Sequence, residues 1–337
     1  MRINRETLQK AARDLVAEAV DNDSSLIAVY LCGSTLDEEP LLGDTGDIDL
    51  VFIHYEPAEN EREIRRLNDQ IHLDIAHHLH ETYDQPRLLR QHAWLGPTVF
   101  SCKVLHDPQH FMDFTVAGVR GQFYLPENIY ARADSLIKEA RQCWQMLAIN
   151  PPALASNALN IYLDSLEKAA NAIVSLNGKP LGERRFLAEF PDWAEAAGQP
   201  GLAVGLVGLL GGLSLEKKPL TNWLPVWEAA YRALNALPTT PAGLSPHRLL
   251  YYRAAIETWI AGPQPVQALW PLLRTWTAIV SLLPEDNLHV APWQDVCQYL
   301  SLAGNTFSQR VDALDTYLDT IEDTIEQWGD TRGIRPT

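Results

Sequence analysis

The stretch Gly46-Asp-Ile-Asp-Leu-Val-Phe-Ile53 constrains this chain more than any other. Its apolar residues are the bulky, largely β-branched or aromatic kinds that suit a buried strand. Successive side chains on a strand point to opposite faces. Asp47 and Asp49 therefore share one face, while Ile48, Leu50 and Phe52 point the other way, into a core. Two carboxylates side by side repel, and both stay ionised only with a cation between them. Oxygen-rich sites of this kind select Mg²⁺ or Mn²⁺.

A second strand carries a third acid. In Ile71-His-Leu-Asp-Ile-Ala-His-His-Leu79, Asp74 sits between Leu73 and Ile75, which point to the opposite face. Placed beside the first strand, it brings three carboxylates around one or two divalent ions. Such an arrangement can clamp the attacking and leaving oxygens of an in-line phosphoryl displacement. The plainer alternative is that these acids cap backbone donors at strand edges. Upstream, the apolar run Leu26–Leu31 ends in Cys32-Gly33-Ser34-Thr35. Glycine allows close backbone approach, and the Ser34 hydroxyl with nearby N–H groups can hold phosphate oxygens. Ser34 equally suits a helix N-cap. His72, His77, His78 and His80 have no zinc spacing and read as satisfied or exposed side chains.

Around these strands, apolar spacing predicts a helix over residues 5–20, a second over Arg62–Asn68 and a fourth strand over Thr98–Leu105. After Pro126 strand alternation fades and helical periods dominate. The predicted class is α+β: a small α/β domain with a short mixed sheet over 1–125, then a larger all-helical domain over 126–337. Gly201–Leu215 is too short and too glycine-rich to span a bilayer, and reads as a buried helix or a pair of turns. In the last helix Phe307, Val311, Leu314, Leu318, Ile321, Ile325 and Trp328 form an apolar seam. Its acidic face (Asp312, Asp315, Asp319, Glu322, Glu326) is either solvated or meets a cationic partner, with the seam packed on the body or on a second subunit.

The formal charge is −16, and neither part of the chain carries a basic excess. That argues against nucleic-acid binding, which depends on Lys and Arg neutralising phosphates. A cationic small molecule, or a nucleotide delivered with divalent metal, suits this field better. Four separated cysteines without a Cys-x-x-Cys pair, and no apolar signal core at the start, predict a reduced, cytoplasmic setting.

Gly33-Ser34, twelve residues, Asp47-Ile48-Asp49 and then Asp74 together resemble the signature of the nucleotidyltransferases of the DNA polymerase β superfamily. The resemblance covers about residues 25–107. A mostly helical second domain is similar to the small-molecule branch, such as the aminoglycoside nucleotidyltransferases. It implies transfer of a nucleoside monophosphate from a triphosphate, ATP foremost, to a hydroxyl of a small and perhaps cationic acceptor, with release of pyrophosphate. It implies that Asp47 and Asp49 hold both Mg²⁺ (or Mn²⁺) ions, that Asp74 holds the ion activating the acceptor, and that Gly33 and Ser34 bind the triphosphate tail. In the helical domain it implies Asp164 as general base and Lys168 as a phosphate ligand; the same pair also reads as an ordinary ion pair at i, i+4. The alternative within the family is an antitoxin-like enzyme that modifies or binds a protein, with the last helix as docking surface or homodimer contact.

Overall fold

The computed structural model describes residues 3–334. The chain divides into two compact units: Met1–Leu125 with Pro241–Ala254, and Pro126–Thr240 with Ala255–Thr337. The class is α+β, a small mixed sheet followed by a larger helical part.

The first unit opens with α1 (Arg5–Asn22). A reciprocal cap starts it: Asn4 Oδ1 accepts from the Thr7 N–H, and Thr7 Oγ1 accepts from the Asn4 N–H, each at 2.9 Å. The strands are β1 (Leu26–Cys32), β2 (Gly46–His54), β3 (Arg62–Arg66), β4 (Ile71–Leu79) and β5 (Lys103–His106). They lie in the order β3-β4-β2-β1-β5. Only β2 and β4 run parallel among the described pairs, and their register sets Asp47 opposite His72 and Asp49 opposite Asp74.

Strand alternation sorts the core into two layers. Leu8, Ala12 and Val16 of α1 cover Ile48, Leu50, Phe52, Leu73 and Ile75 on one face. On the other face Ala28, Tyr30, Val51 and Ile53 meet α2 (Pro86–Gln91), α3 (Leu95–Ser101) and α4 (Phe111–Arg120) through Leu89, Val99, Met112, Val116 and Val119. That second face carries the aspartates. Below them a buried polar chain runs from the Tyr30 hydroxyl to that of Tyr83 at 2.8 Å, and on to His78 Nδ1 at 2.6 Å.

Two elements differ from the sequence reading. Residues 62–66 form a strand, not a helix. Arg-Glu-Ile-Arg-Arg has no apolar face to bury, and β4 supplies the hydrogen-bonding partner that a local period cannot reveal. Its charges blunt an exposed sheet edge. The fourth predicted strand is shorter: residues 98–101 belong to α3, which carries Pro97 in its first turn, and only Lys103–His106 pair with β1. The segment Pro241–Ala254, counted with the helical part from sequence, clusters with the sheet unit.

At the far end of β2 and β4, on the α1 face, His54 Nε2 and His77 Nδ1 share a hydrogen bond at 2.9 Å. The Ser25 hydroxyl lies 3.2 Å from His54 Nδ1, and the nearest carboxylates are Asp23 and Glu63. Burial, and then the adjoining His77 ring, push His54 below its ordinary 6.5, against the opposing pull of Asp23. The folded protein thus binds fewer protons here than the unfolded chain as pH falls through 6.5, so stability drops with falling pH. His54→Gln is expected to lose less thermal stability between pH 7 and pH 5 than the wild type does. Scanning calorimetry of both proteins at the two pH values checks it, and equal losses would exclude this contribution.

The second unit packs α5 (Pro126–Ile149), α6 (Ala155–Ser175), α7 (Phe186–Ala196), α8 (Gly201–Leu209), α9 (Lys217–Ala233), most of α10 (Leu249–Ala261), α11 (Leu269–Leu282), α12 (Val290–Tyr299) and α13 (Gly304–Asp330). The segment after Gly201 is α8 followed by a turn at Gly211, and it is buried on one side only: Leu202, Leu206 and Leu209 are inside, while Val204 and Leu213 are exposed. Trp227 and Trp293 donate their indole N–H groups to Thr275 and Thr277 of α11. The seam of α13 lies against α5 and α6, with Val311, Leu314, Leu318, Ile321 and Ile325 buried. Arg141 of α5 draws in three acids of its polar face, Asp315, Asp319 and Glu322. No described helix is long and apolar enough to cross a membrane. Four cysteines are buried and free.

Candidate functional site

Asp47, Asp49 and Asp74 meet at the start of β2 and in the first half of β4. Each offers a carboxylate oxygen within 4.8 Å of the others. Among the described residues no other set of three or more His, Cys, Asp or Glu side chains has this geometry. The parallel register makes it so: Asp49 and Asp74 are cross-strand partners, and Asp47 lies two residues before Asp49 on the same face.

The turn between β1 and β2 seals one side. Gly33 has φ +70°, a left-handed conformation that glycine adopts without strain. A Cβ on Gly33 would lie 1.8 Å from Asp49 Oδ2, so the carboxylate rests against the bare glycine backbone. Two residues on, the buried Thr35 hydroxyl donates to the Asp47 carbonyl at 2.9 Å and ties this turn to β2. The Ser34 hydroxyl donates to the Pro40 carbonyl at 3.3 Å.

Two arginines complete the cluster, and neither is among the residues singled out from sequence. Arg62 of β3 reaches diagonally across the sheet and grips Asp74 with both arms, Nε to Oδ1 and Nη2 to Oδ2, each at 2.6 Å. Arg248, just before α10, bridges two acids: Nη1 donates to Asp74 Oδ2 at 3.0 Å, and Nη2 to Asp47 Oδ2 at 3.4 Å. Arg248 is only 7% exposed. Its guanidinium carbon stands 4.9 Å from the Tyr251 ring centre and 5.5 Å from that of Tyr252. Tyr251 in turn meets His72 edge-on, the residue opposite Asp47.

The pairing is uneven. Both arginines hold Asp74, one of them also holds Asp47, and no hydrogen-bond donor among the described residues reaches the Asp49 carboxylate. Burial, reinforced by Asp47 and then Asp74, pushes Asp49 well above the ordinary carboxylate range, and Arg248 and Arg62 only partly counter this. With all three carboxylates ionised, the two guanidiniums leave one negative charge uncompensated. The donor set is all hard oxygen, and octahedral ligands at about 2.0–2.1 Å from Mg²⁺ lie roughly 3–4 Å apart. The three side chains thus fit a small divalent cation in donor type, with their oxygens already within 4.8 Å of one another.

The other residues marked from sequence lie in the helical unit. Asp164 pairs with Arg274 of α11, and Lys168 Nζ lies 3.7 Å from Glu139 of α5. Each is thus paired to a neighbouring helix rather than to the other. Glu167, which sequence did not single out, lies 3.6 Å from the same Arg274. Burial raises its carboxyl to about 7 despite that arginine. Neither Arg62 nor Arg248 carries a local signal. The first sits in a run that reads as helical, and the second is 174 residues from Asp74.

No protein-family model matches this chain, and no curated protein matches it.

Proposed function

We propose that this chain is a divalent-cation-dependent nucleotidyltransferase that moves a nucleoside monophosphate from a nucleoside triphosphate, ATP foremost, to a hydroxyl of a small molecule. The observation that carries this reading is the Asp49 carboxylate: it is partly buried, crowded by two others and without a donor among the described residues, in a cluster that follows the Gly33-Ser34 turn in the order the resemblance implies. A structural ion-pair network would give each acid a partner; the Asp49 carboxylate has none among the described residues, which supports the cation reading.

In the reaction the acceptor oxygen forms a bond to the α-phosphorus, the bond from that phosphorus to the bridging oxygen breaks, and pyrophosphate leaves with the electron pair. Bound divalent cations would supply charge neutralisation at the phosphates and lower the pKa of the acceptor hydroxyl. Asp47, Asp49 and Asp74 would hold those cations. Gly33 lets the turn rest against Asp49, and Ser34 would bind the triphosphate tail. The acceptor proton would pass to a general base, the role the resemblance gives to Asp164 as it gives phosphate binding to Lys168; here those two side chains pair with Arg274 and Glu139. The acidic composition suits a cationic acceptor, and four free cysteines suit a reducing, cytoplasmic setting.

The test is an acceptor screen with each labelled triphosphate in Mg²⁺ or Mn²⁺, scored by pyrophosphate release. Label on a small hydroxylated acceptor is the expected result. Label on a protein would move the reading to the antitoxin-like alternative. No pyrophosphate with any triphosphate, in a protein whose thermal stability also ignores Mn²⁺, would refute it.

A further inference from the structure

Arg248 stands where the cluster's charge is balanced, and its bonds there are incomplete. It bridges Asp47 and Asp74, two of the three acids that converge, through separate contacts of 3.4 Å and 3.0 Å. Its Nε is buried and has no hydrogen-bond partner. Arg62, by contrast, makes a complete two-armed pair with Asp74 alone and is half exposed. A guanidinium that spans a ligand set, is nine-tenths buried and leaves a donor unused is held by charge more than by geometry.

We propose that Arg248 is a built-in counter-ion which competes with the divalent cation for the oxygens of Asp47 and Asp74, and so sets the cation affinity of the site. This rests on the cation reading of the same three aspartates. The argument is one of charge. Removing Arg248 makes the cluster one unit charge more negative, whatever the charge on Asp49. One unit charge at these distances, in a partly buried setting, changes a cation's binding constant by about tenfold or more. The same guanidinium spares the metal-free cluster part of the repulsion among three neighbouring carboxylates. The segment around it is anchored locally, with Leu244 buried and the Tyr252 hydroxyl donating to the Gly243 carbonyl at 3.2 Å. The tyrosines stacked on the guanidinium give it a resting place that does not depend on the acids.

Calorimetric titration of Mn²⁺ into the full chain tests this with no assay of turnover. Arg248→Met is expected to bind Mn²⁺ at least about tenfold more tightly than the wild type, and Arg248→Lys, which keeps the charge, to stay within about threefold of it. Should the Met variant fail to fold without metal, Arg248→Gln takes its place with the same expectation. Equal or weaker Mn²⁺ binding by the neutral variants, with the wild type still binding, overturns the competition and leaves the cation site standing. Binding by a neutral variant where the wild type shows none supports it in its strongest form. Failure of wild type and neutral variants alike to bind Mn²⁺ overturns both this inference and the cation reading beneath it.

Discussion

Replacing Asp49 by Asn is expected to raise the stability of the metal-free protein and to abolish its response to divalent cations. The two effects have one cause. In the metal-free protein Asp49 is a partly buried carboxylate flanked by two others, with no donor to it among the described residues. Asparagine has the same shape without the charge, so it removes repulsion and keeps the packing against Gly33. A gain of about 1 kcal/mol in metal-free buffer near neutral pH is the expected scale for relieving one unpaired, crowded charge. In the wild type, Mn²⁺ at one hundred times its dissociation constant would add about 2.7 kcal/mol by mass action. Asp49→Asn should lose nearly all of that increment. Turnover should fall by about a thousandfold, the equivalent of roughly 4 kcal/mol of transition-state stabilisation. Thermal unfolding with and without Mn²⁺ reads the first two effects, and pyrophosphate release reads the third. A variant less stable than the wild type without metal, and still stabilised by Mn²⁺, would show that Asp49 is an ordinary structural acid.

Gly33→Ala should be nearly as severe for the site by a purely steric route. The added methyl carbon would fall 1.8 Å from Asp49 Oδ2, far inside contact distance. The turn cannot retreat freely, because the Thr35 hydroxyl fastens it to the Asp47 carbonyl. Asp49 must therefore swing away from its neighbours. Alanine at φ +70° adds a backbone penalty of about 1–2 kcal/mol. The expected outcome is a folded protein, destabilised by about 2 kcal/mol, whose Mn²⁺ affinity and turnover both drop by about a hundredfold or more. Circular dichroism confirms the fold while calorimetry measures the cation. Wild-type Mn²⁺ binding in this variant would mean that Asp49 does not need its place against the turn.

The three aspartates were legible because strand alternation is a local property. Asp47 and Asp49 are two residues apart, and apolar neighbours on the opposite face mark Asp74 as a strand residue before any partner is known. Their meeting depends on β2 and β4 lying parallel and adjacent, which the order of elements suggests and the register supplies. The arginines were not legible, for two different reasons. Arg62 lies in Arg-Glu-Ile-Arg-Arg, whose composition fits a solvated helix; only pairing with β4 makes it an edge strand. Arg248 follows Ser245-Pro246-His247, a local cap that advertises a helix start and nothing more. Likewise Thr98–Ser101 has strand-like residues, yet the Thr98 hydroxyl bonds back to the Trp94 carbonyl within a helical turn. Propensity yields there to neighbours that sequence does not name.

The return of Pro241–Ala254 to the sheet unit also orders events in time. A ribosome delivers the three acids and Arg62 early, but Arg248 emerges 174 residues after Asp74. At roughly 5–20 residues per second that is a delay of about 10–35 s. During it the newborn sheet must tolerate three crowded acids with a single guanidinium beside them. Maturation of this half of the protein is therefore bound to the synthesis of the other, and a transcript cut short after the strands would yield a sheet with its acids permanently underbalanced.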